Sequence, residues 1–131
     1  MKKMGMASLV VILGSSALAA PPKSTPALLE KGEASYARNC LACHGEKGDG
    51  KGPTGAYLNP TPRDFLSEPF KNGNKPEEVF QTITKGMPGS TMVAFGTLPE
   101  EERWALTHYV LGFQKSQGKE AKKAAPKKGK K

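Results

Sequence analysis

Aromatic and large apolar side chains are scarce in this sequence. Its 131 residues include one Trp, three Tyr and five Phe, and hydrophobic residues make up 37% of the chain, well below the globular norm. One small domain is the most this length supports. With the two ends set aside, too few apolar side chains remain for a self-sufficient core, so a further staple is expected. No apolar run approaches the roughly 20 residues that span a bilayer, and no stretch alternates as a strand should. Gly and Pro are plentiful, at 15 and 11. That is rich in turns but short of the roughly 25–30% that marks low-complexity disorder, which argues against a structureless polymer.

The ends carry their own signals. Residues 1–20 read Met-Lys-Lys, a mostly apolar stretch from Met6 to Leu13, then small residues closing on Ala17-Leu18-Ala19-Ala20. This is the order of a secretory signal peptide cut after Ala19 or Ala20, and export to the periplasm is expected. The first Cys is Cys40, too far downstream to support an acylated N-terminal cysteine. The net charge of +8 is unevenly spread: residues 20–114 carry ten basic and eleven acidic side chains, whereas residues 115–131 carry eight Lys against Glu120. That Lys-rich tail has no apolar residue larger than Ala and is expected to be disordered. It serves as a solubilising tether, or as an arm for anionic lipid headgroups or an acidic protein. Nucleic acid is not expected as a partner of an exported chain.

Between the ends, over residues 26–114, three stretches read as helices. The first runs from about Pro26 to Asn39, with Ala27, Leu28, Gly32, Tyr36 and Cys40 on one stripe. The second starts with Pro76 at a first helical position, carries Glu77 and Glu78 in its first turn and stops at Gly86; Val79, Phe80 and Ile83 form its apolar face. The third opens with Thr97 and Glu100 at capping-box spacing, loads its positive end with Glu100, Glu101 and Glu102, and repeats Ala105, Leu106, Tyr109, Val110 and Phe113 at helical spacing. The result is a small all-α domain with long irregular loops at 45–62 and 86–96. A compact domain of this size rarely leaves so much backbone irregular, and a bound group for the loops to wrap would account for it.

Both Cys lie in Cys40-Leu41-Ala42-Cys43-His44, the attachment pattern for c-type haem. One helical turn presents two thiols to the two vinyl groups, each adding to form a thioether, and the adjacent His44 reaches the iron as an axial ligand. Three other readings compete. A thioredoxin-like dithiol needs a preceding strand and a sheet. A zinc site has only Cys40, Cys43, His44 and the distant His108 to draw on. A disulfide closing so short a loop gains little and leaves His44 unexplained.

On these residues the sequence resembles the class I cytochromes c across most of residues 27–114. Gly32, Tyr36 and Cys40 match the family's first helix, Cys40, Cys43 and His44 its haem motif, Gly52-Pro53 its Gly-Pro pair, and Trp104 and Tyr109 the aromatic positions of its last helix. The resemblance implies a cytochrome c fold, with three main helices and long loops wrapped around one covalently attached haem. It also implies that the Pro53 carbonyl accepts the His44 Nδ1 proton, leaving Nε2 for iron.

For the sixth ligand, the loop Gly86-Met87-Pro88-Gly89-Ser90-Thr91-Met92-Val93-Ala94-Phe95-Gly96 offers two methionines. The family's small bacterial members place the ligand Met shortly before an apolar-aromatic pair, the place Met92 takes, although Val93 stands where Pro often follows. Met87 is the alternative. His108 is expected on the outer face of the last helix as a satisfied surface imidazole. Thioether sulfur favours ferrous iron, so His44/Met92 coordination suits an electron carrier. Arg63 is placed to pair with a haem propionate or to stand as a solvated loop cation. Tyr57, Phe65, Phe70, Phe80 and Phe95 are expected to build the pocket and core.

The function these readings imply is a periplasmic monohaem cytochrome c, a monomer and not an enzyme, passing single electrons between transient redox protein partners. A haem subunit of a larger oxidoreductase complex is the alternative; an open-site haem enzyme, or a gas or peroxide sensor, is a further one.

Overall fold

A computed structural model of the chain describes residues 20–124. The expected signal peptide therefore falls outside the described residues except for Ala20, as do residues 125–131. The elements are α1 (Pro26–Asn39), the one-turn α2 (Leu41–His44), a 3-10 turn (Gly55–Tyr57), α3 (Pro76–Lys85) and α4 (Glu100–Ala124), with no strand among the described residues. None of these helices is long and apolar enough to cross a membrane.

Helix α1 opens on Thr25, whose hydroxyl accepts the Leu28 N–H at 3.2 Å, with Pro26 in the first turn. It packs across α4 at Gly32, where a methyl group would run into the Ala105 carbonyl and the Tyr109 Cβ, so only glycine allows this approach. Around the crossing, Ser35 donates to Glu102 at 2.6 Å, and Lys31–Glu101 and Arg38–Glu102 pair at 2.8 and 2.9 Å. In α3 the Glu78 carboxylate reaches back to the Lys75 N–H at 2.9 Å, and the helix ends at Gly86 as its pattern predicts. Tyr36, Phe65, Val79, Ile83, Leu106, Val110 and Leu111 form the buried core. Phe80 lies against Trp104 with ring centroids 4.1 Å apart.

Three details depart from the sequence reading. Ala27 is exposed, so the α1 stripe starts at the half-buried Leu28. Thr97 does not cap α4: the Pro99 carbonyl accepts the Arg103 N–H at 3.1 Å, and the helix begins immediately after it. His108 is buried rather than on an outer face, because the segment before α1 covers it and the Pro22 carbonyl lies 2.7 Å from its Nε2. Its neighbour Thr107 is also buried, with its hydroxyl satisfied by the Arg103 carbonyl at 2.8 Å. A polar residue whose donor is absorbed inside its own helix does not mark a solvent face.

The largest departure is the length of α4, which continues to Ala124 through the first part of the segment expected to be disordered. Extending a packed helix needs no new nucleus, and the Lys, Glu, Ala and Gln of this stretch are good helix formers.

Candidate cofactor site

Cys40 closes α1 by donating its N–H to the Tyr36 carbonyl at 2.9 Å. Its own carbonyl then accepts from Cys43 at 3.2 Å and His44 at 2.9 Å, so both thiols and the imidazole leave one helical turn. The buried Tyr36 hydroxyl donates to the Gly45 carbonyl at 2.7 Å and holds the end of that turn. Burial, with smaller contributions from Cys40, Tyr109 and Asp49, pushes this hydroxyl well above its ordinary value, so it remains a donor.

The loop after His44 clasps the turn with its backbone. Gly50 donates to His44, Gly52 to Cys43 and Thr54 to Ala42, at 2.9, 3.1 and 2.9 Å. The Thr54 hydroxyl adds a 2.7 Å bond to Ala42 and lies 3.4 Å from Cys43 Sγ. A Cβ at Gly52 would overlap the Leu41 and Ala42 carbonyls, which explains the glycine.

A cavity of about 330 Å³ gathers the chemistry. Cys40, Cys43 and His44 line it from the α1–α2 side, and Met87 and Met92 from the loop that follows α3. Phe65, Phe70, Val79, Ile83, Phe95 and Val110 supply its apolar surface. Burial lowers the His44 pKa, partly offset by the Arg63 backbone facing the ring, so the imidazole is neutral. Phe65 stacks on it with centroids 4.6 Å apart. The Cys40 thiol is pushed up to about 12, first by burial and then by Cys43.

These residues fit a c-type haem. Cys40 and Cys43 are free thiols one turn apart, and thioether sulfur enters the same apolar cavity. The buried Nδ1 of His44 has no hydrogen-bond partner, as if the ring were positioned for its other nitrogen. The competing readings lack their parts: no strand precedes Cys40 among the described residues, and His108 is turned to Pro22 instead of joining the cysteines.

The other predicted residues separate. Met92 lines the cavity, and so does Met87, whose Sδ accepts from Asn72 at 3.3 Å. Arg63 also lines it, with its guanidinium held by Glu68 at 2.5 Å. The Pro53 carbonyl does not accept from His44, whose Nδ1 has no partner; the clasp fixes residues 52–54 against Ala42 and Cys43, and Pro53 is exposed and outside the cavity lining. Tyr57 is 87% exposed and contributes nothing to the pocket. Phe80 is buried but packs on Trp104, away from the cavity. The Tyr36 hydroxyl and the Asn72 amide were missed. Tyr36 was read only as an apolar stripe position, and Asn72, in an Asn-Gly-Asn turn, carries no sequence signal of what its amide faces.

Residues 27–110 match the family described as cytochrome c oxidase, cbb3-type, subunit III. Among solved structures, a chain of the reducing HAO-like protein complex of Kuenenia stuttgartiensis is 33% identical over 76% of this chain, with a TM-score of 0.67. The present chain spans about half of that one, 49%. Cytochrome c6 of the diatom Phaeodactylum tricornutum is similar at 23% identity over 68% of this chain and 97% of its own, with a TM-score of 0.51, which speaks for the fold alone. No curated protein matches the chain.

Proposed function

The chain belongs to the class I c-type cytochromes, whose covalently bound haem serves electron transfer, and from that premise we propose that it is a periplasmic monohaem carrier of single electrons. The observation that carries this reading is the meeting of Cys40, Cys43, His44 and Met92 around one apolar cavity.

When bound, a c-type haem supplies a one-electron ferric/ferrous couple. The rest falls to the chain. Cys40 and Cys43 hold the group through thioethers from one helical turn. His44, kept neutral by burial, would offer a ring-nitrogen lone pair to the iron. Met92 brings a soft thioether from the loop after α3. Phe65, Val79, Ile83, Phe95 and Val110 exclude water, and an apolar wall disfavours extra positive charge, which together with thioether ligation raises the potential. Arg63 lies at the cavity with a guanidinium that can exchange Glu68 for a propionate. Were His44 and Met92 both to hold the iron, no place would be left on it for a substrate, so we read the protein as an electron carrier and not itself an enzyme. The signal peptide at residues 1–20 exports it.

Visible spectra of the mature protein in both oxidation states, with and without carbon monoxide, test this. A low-spin haem with the weak far-red sulfur-to-ferric-iron band, indifferent to carbon monoxide, is expected. A high-spin or carbon-monoxide-reactive haem overturns the carrier reading and points to catalysis or sensing at open iron.

The similarity to a chain of a multiprotein complex favours a second reading, a haem subunit docked on a larger oxidoreductase. Here the Lys-rich residues 115–131, begun as a continuation of α4, form the docking arm toward an acidic partner or an anionic membrane surface. Salt-sensitive co-purification with a partner, lost on deleting residues 115–131, supports it; unchanged electron-transfer kinetics of the truncated protein count against it.

A further inference from the structure

The loop after α3 presents two thioethers to the cavity on equal backbone terms. The Met87 N–H donates to the Met92 carbonyl at 3.1 Å, so the two residues stand side by side at the base of a short turn. Ser90 closes that turn from within: its hydroxyl donates to the Met87 carbonyl at 2.8 Å and accepts the Met92 N–H at 3.1 Å. Both side chains line the cavity. Nothing in the backbone selects one sulfur over the other.

Their side chains are treated differently. Asn72 Nδ2 lies 3.3 Å from Met87 Sδ and 3.2 Å from Thr82 Oγ1. The Thr82 hydroxyl proton is already given to the Glu78 carbonyl at 3.0 Å, so this oxygen faces Asn72 as an acceptor. A thioether is an acceptor only. The Asn72 amide thus meets two acceptors, and its NH2 group has one hydrogen for each. A flipped amide would set its oxygen against both, so the orientation follows from the partners. The amide's position is fixed by the turn around it, where Asn74 Oδ1 accepts the Phe70 N–H at 3.2 Å and Phe70 packs on Phe65 with centroids 5.3 Å apart. Met92 has no corresponding side-chain donor on its sulfur among the described residues.

We infer that Asn72 is a positioning residue that holds the Met87 thioether away from the sixth coordination position and so makes Met92 the ligand. The inference rests on the His44/Met92 reading. Asn72 acts by tethering the competitor's sulfur where it lies, and does not touch the iron.

Five proteins test this, each checked first for covalently retained haem after denaturation and then read by the far-red sulfur-to-iron band and by carbon monoxide binding. Wild type is expected to show the band. Met92→Ala is expected to lose it and bind carbon monoxide, because Met87 stays with Asn72. Adding Asn72→Asp, which keeps the side chain's shape but removes the donors, is expected to restore the band and suppress carbon monoxide binding, as Met87 takes the position. Adding Met87→Leu to that pair is expected to abolish the band again. If Met92→Ala keeps the band with Asn72 present, or if the pair does not regain it in either the Asn72→Asp or the Asn72→Ala form, the inference is overturned while thioether ligation stands. A wild-type protein without the band removes the His44/Met92 reading and the role of Asn72 together.

Discussion

The Cys40–His44 turn and the Gly86–Pro99 loop face the same cavity, but they are held there by different means. The turn is secured by groups close to it in sequence, backbone amides together with the Tyr36 and Thr54 hydroxyls; its most distant clasp, from Thr54 to Ala42, crosses 12 residues. The loop depends on side chains from other elements. Arg103 of α4 donates to Thr84 Oγ1 at 2.7 Å and to the Leu98 carbonyl at 3.1 Å, and its guanidinium lies 4.8 Å from the Phe80 ring centre. Asn72 reaches Met87 from 15 residues away. Covalent attachment needs only a local spacing and survives later fluctuation, whereas the choice of a sixth ligand has to be enforced by neighbours.

Four variants sharpen that contrast. The largest effect is expected from Cys40→Ser combined with Cys43→Ser, which removes both anchors from the turn. Haem staining after denaturing electrophoresis should vanish, and near-UV circular dichroism should show loss of tertiary packing because the apolar core is small; retained covalent haem would refute the assignment of these thiols. Next comes Gly52→Val. Its side chain would enter the Leu41 and Ala42 carbonyls, an overpacking cost of about 3 kcal/mol, measured as a lowered denaturation midpoint with the far-red band retained in the fraction that folds.

Arg103→Ala moves to the other side. It strips a donor from Thr84 and Leu98 and a cation from the Phe80 face, together about 2 kcal/mol. Carbon monoxide binding should rise as the loop loosens, while covalent haem content is unchanged; an unaltered loop with equal stability would show that the brace is idle.

The smallest effect lies beneath both regions, at the α1–α4 crossing. The Ser35 hydroxyl, and after it the Arg38 guanidinium, hold the Glu102 carboxyl below the usual carboxylate range. A depressed folded-state value contributes stability above the unfolded pKa and loses it as pH falls through the folded one. Glu102→Gln should therefore lower the melting temperature slightly at pH 7 and converge with wild type in acid. The difference stays small because the interacting side chains are partly solvated.

Much of this protein is legible in its sequence because it is encoded over short distances. The Cys40-Cys43-His44 spacing fits one helical turn, Pro76 and Gly86 bracket α3, and Gly32 marks the helix crossing. These features depend on backbone geometry and steric contact within a few residues, or on a single missing side chain. The interior polar contacts were not legible. His108 reads as a surface residue but is buried against the Pro22 carbonyl 86 residues away, beside a Thr107 whose hydroxyl is satisfied by an intrahelical carbonyl. Tyr57 reads as a pocket aromatic but lies in solvent.

Sequence alone therefore determined the helical class, the order of the helices and the donor types brought to the cavity, since periodicity and spacing are properties of a chain before it folds. Tertiary structure alone decided that Phe65 stacks on the His44 ring, and that one of two neighbouring methionines has its sulfur engaged. Both depend on which groups meet across the fold, and a hydrogen bond between distant residues leaves no periodic trace in the sequence that makes it.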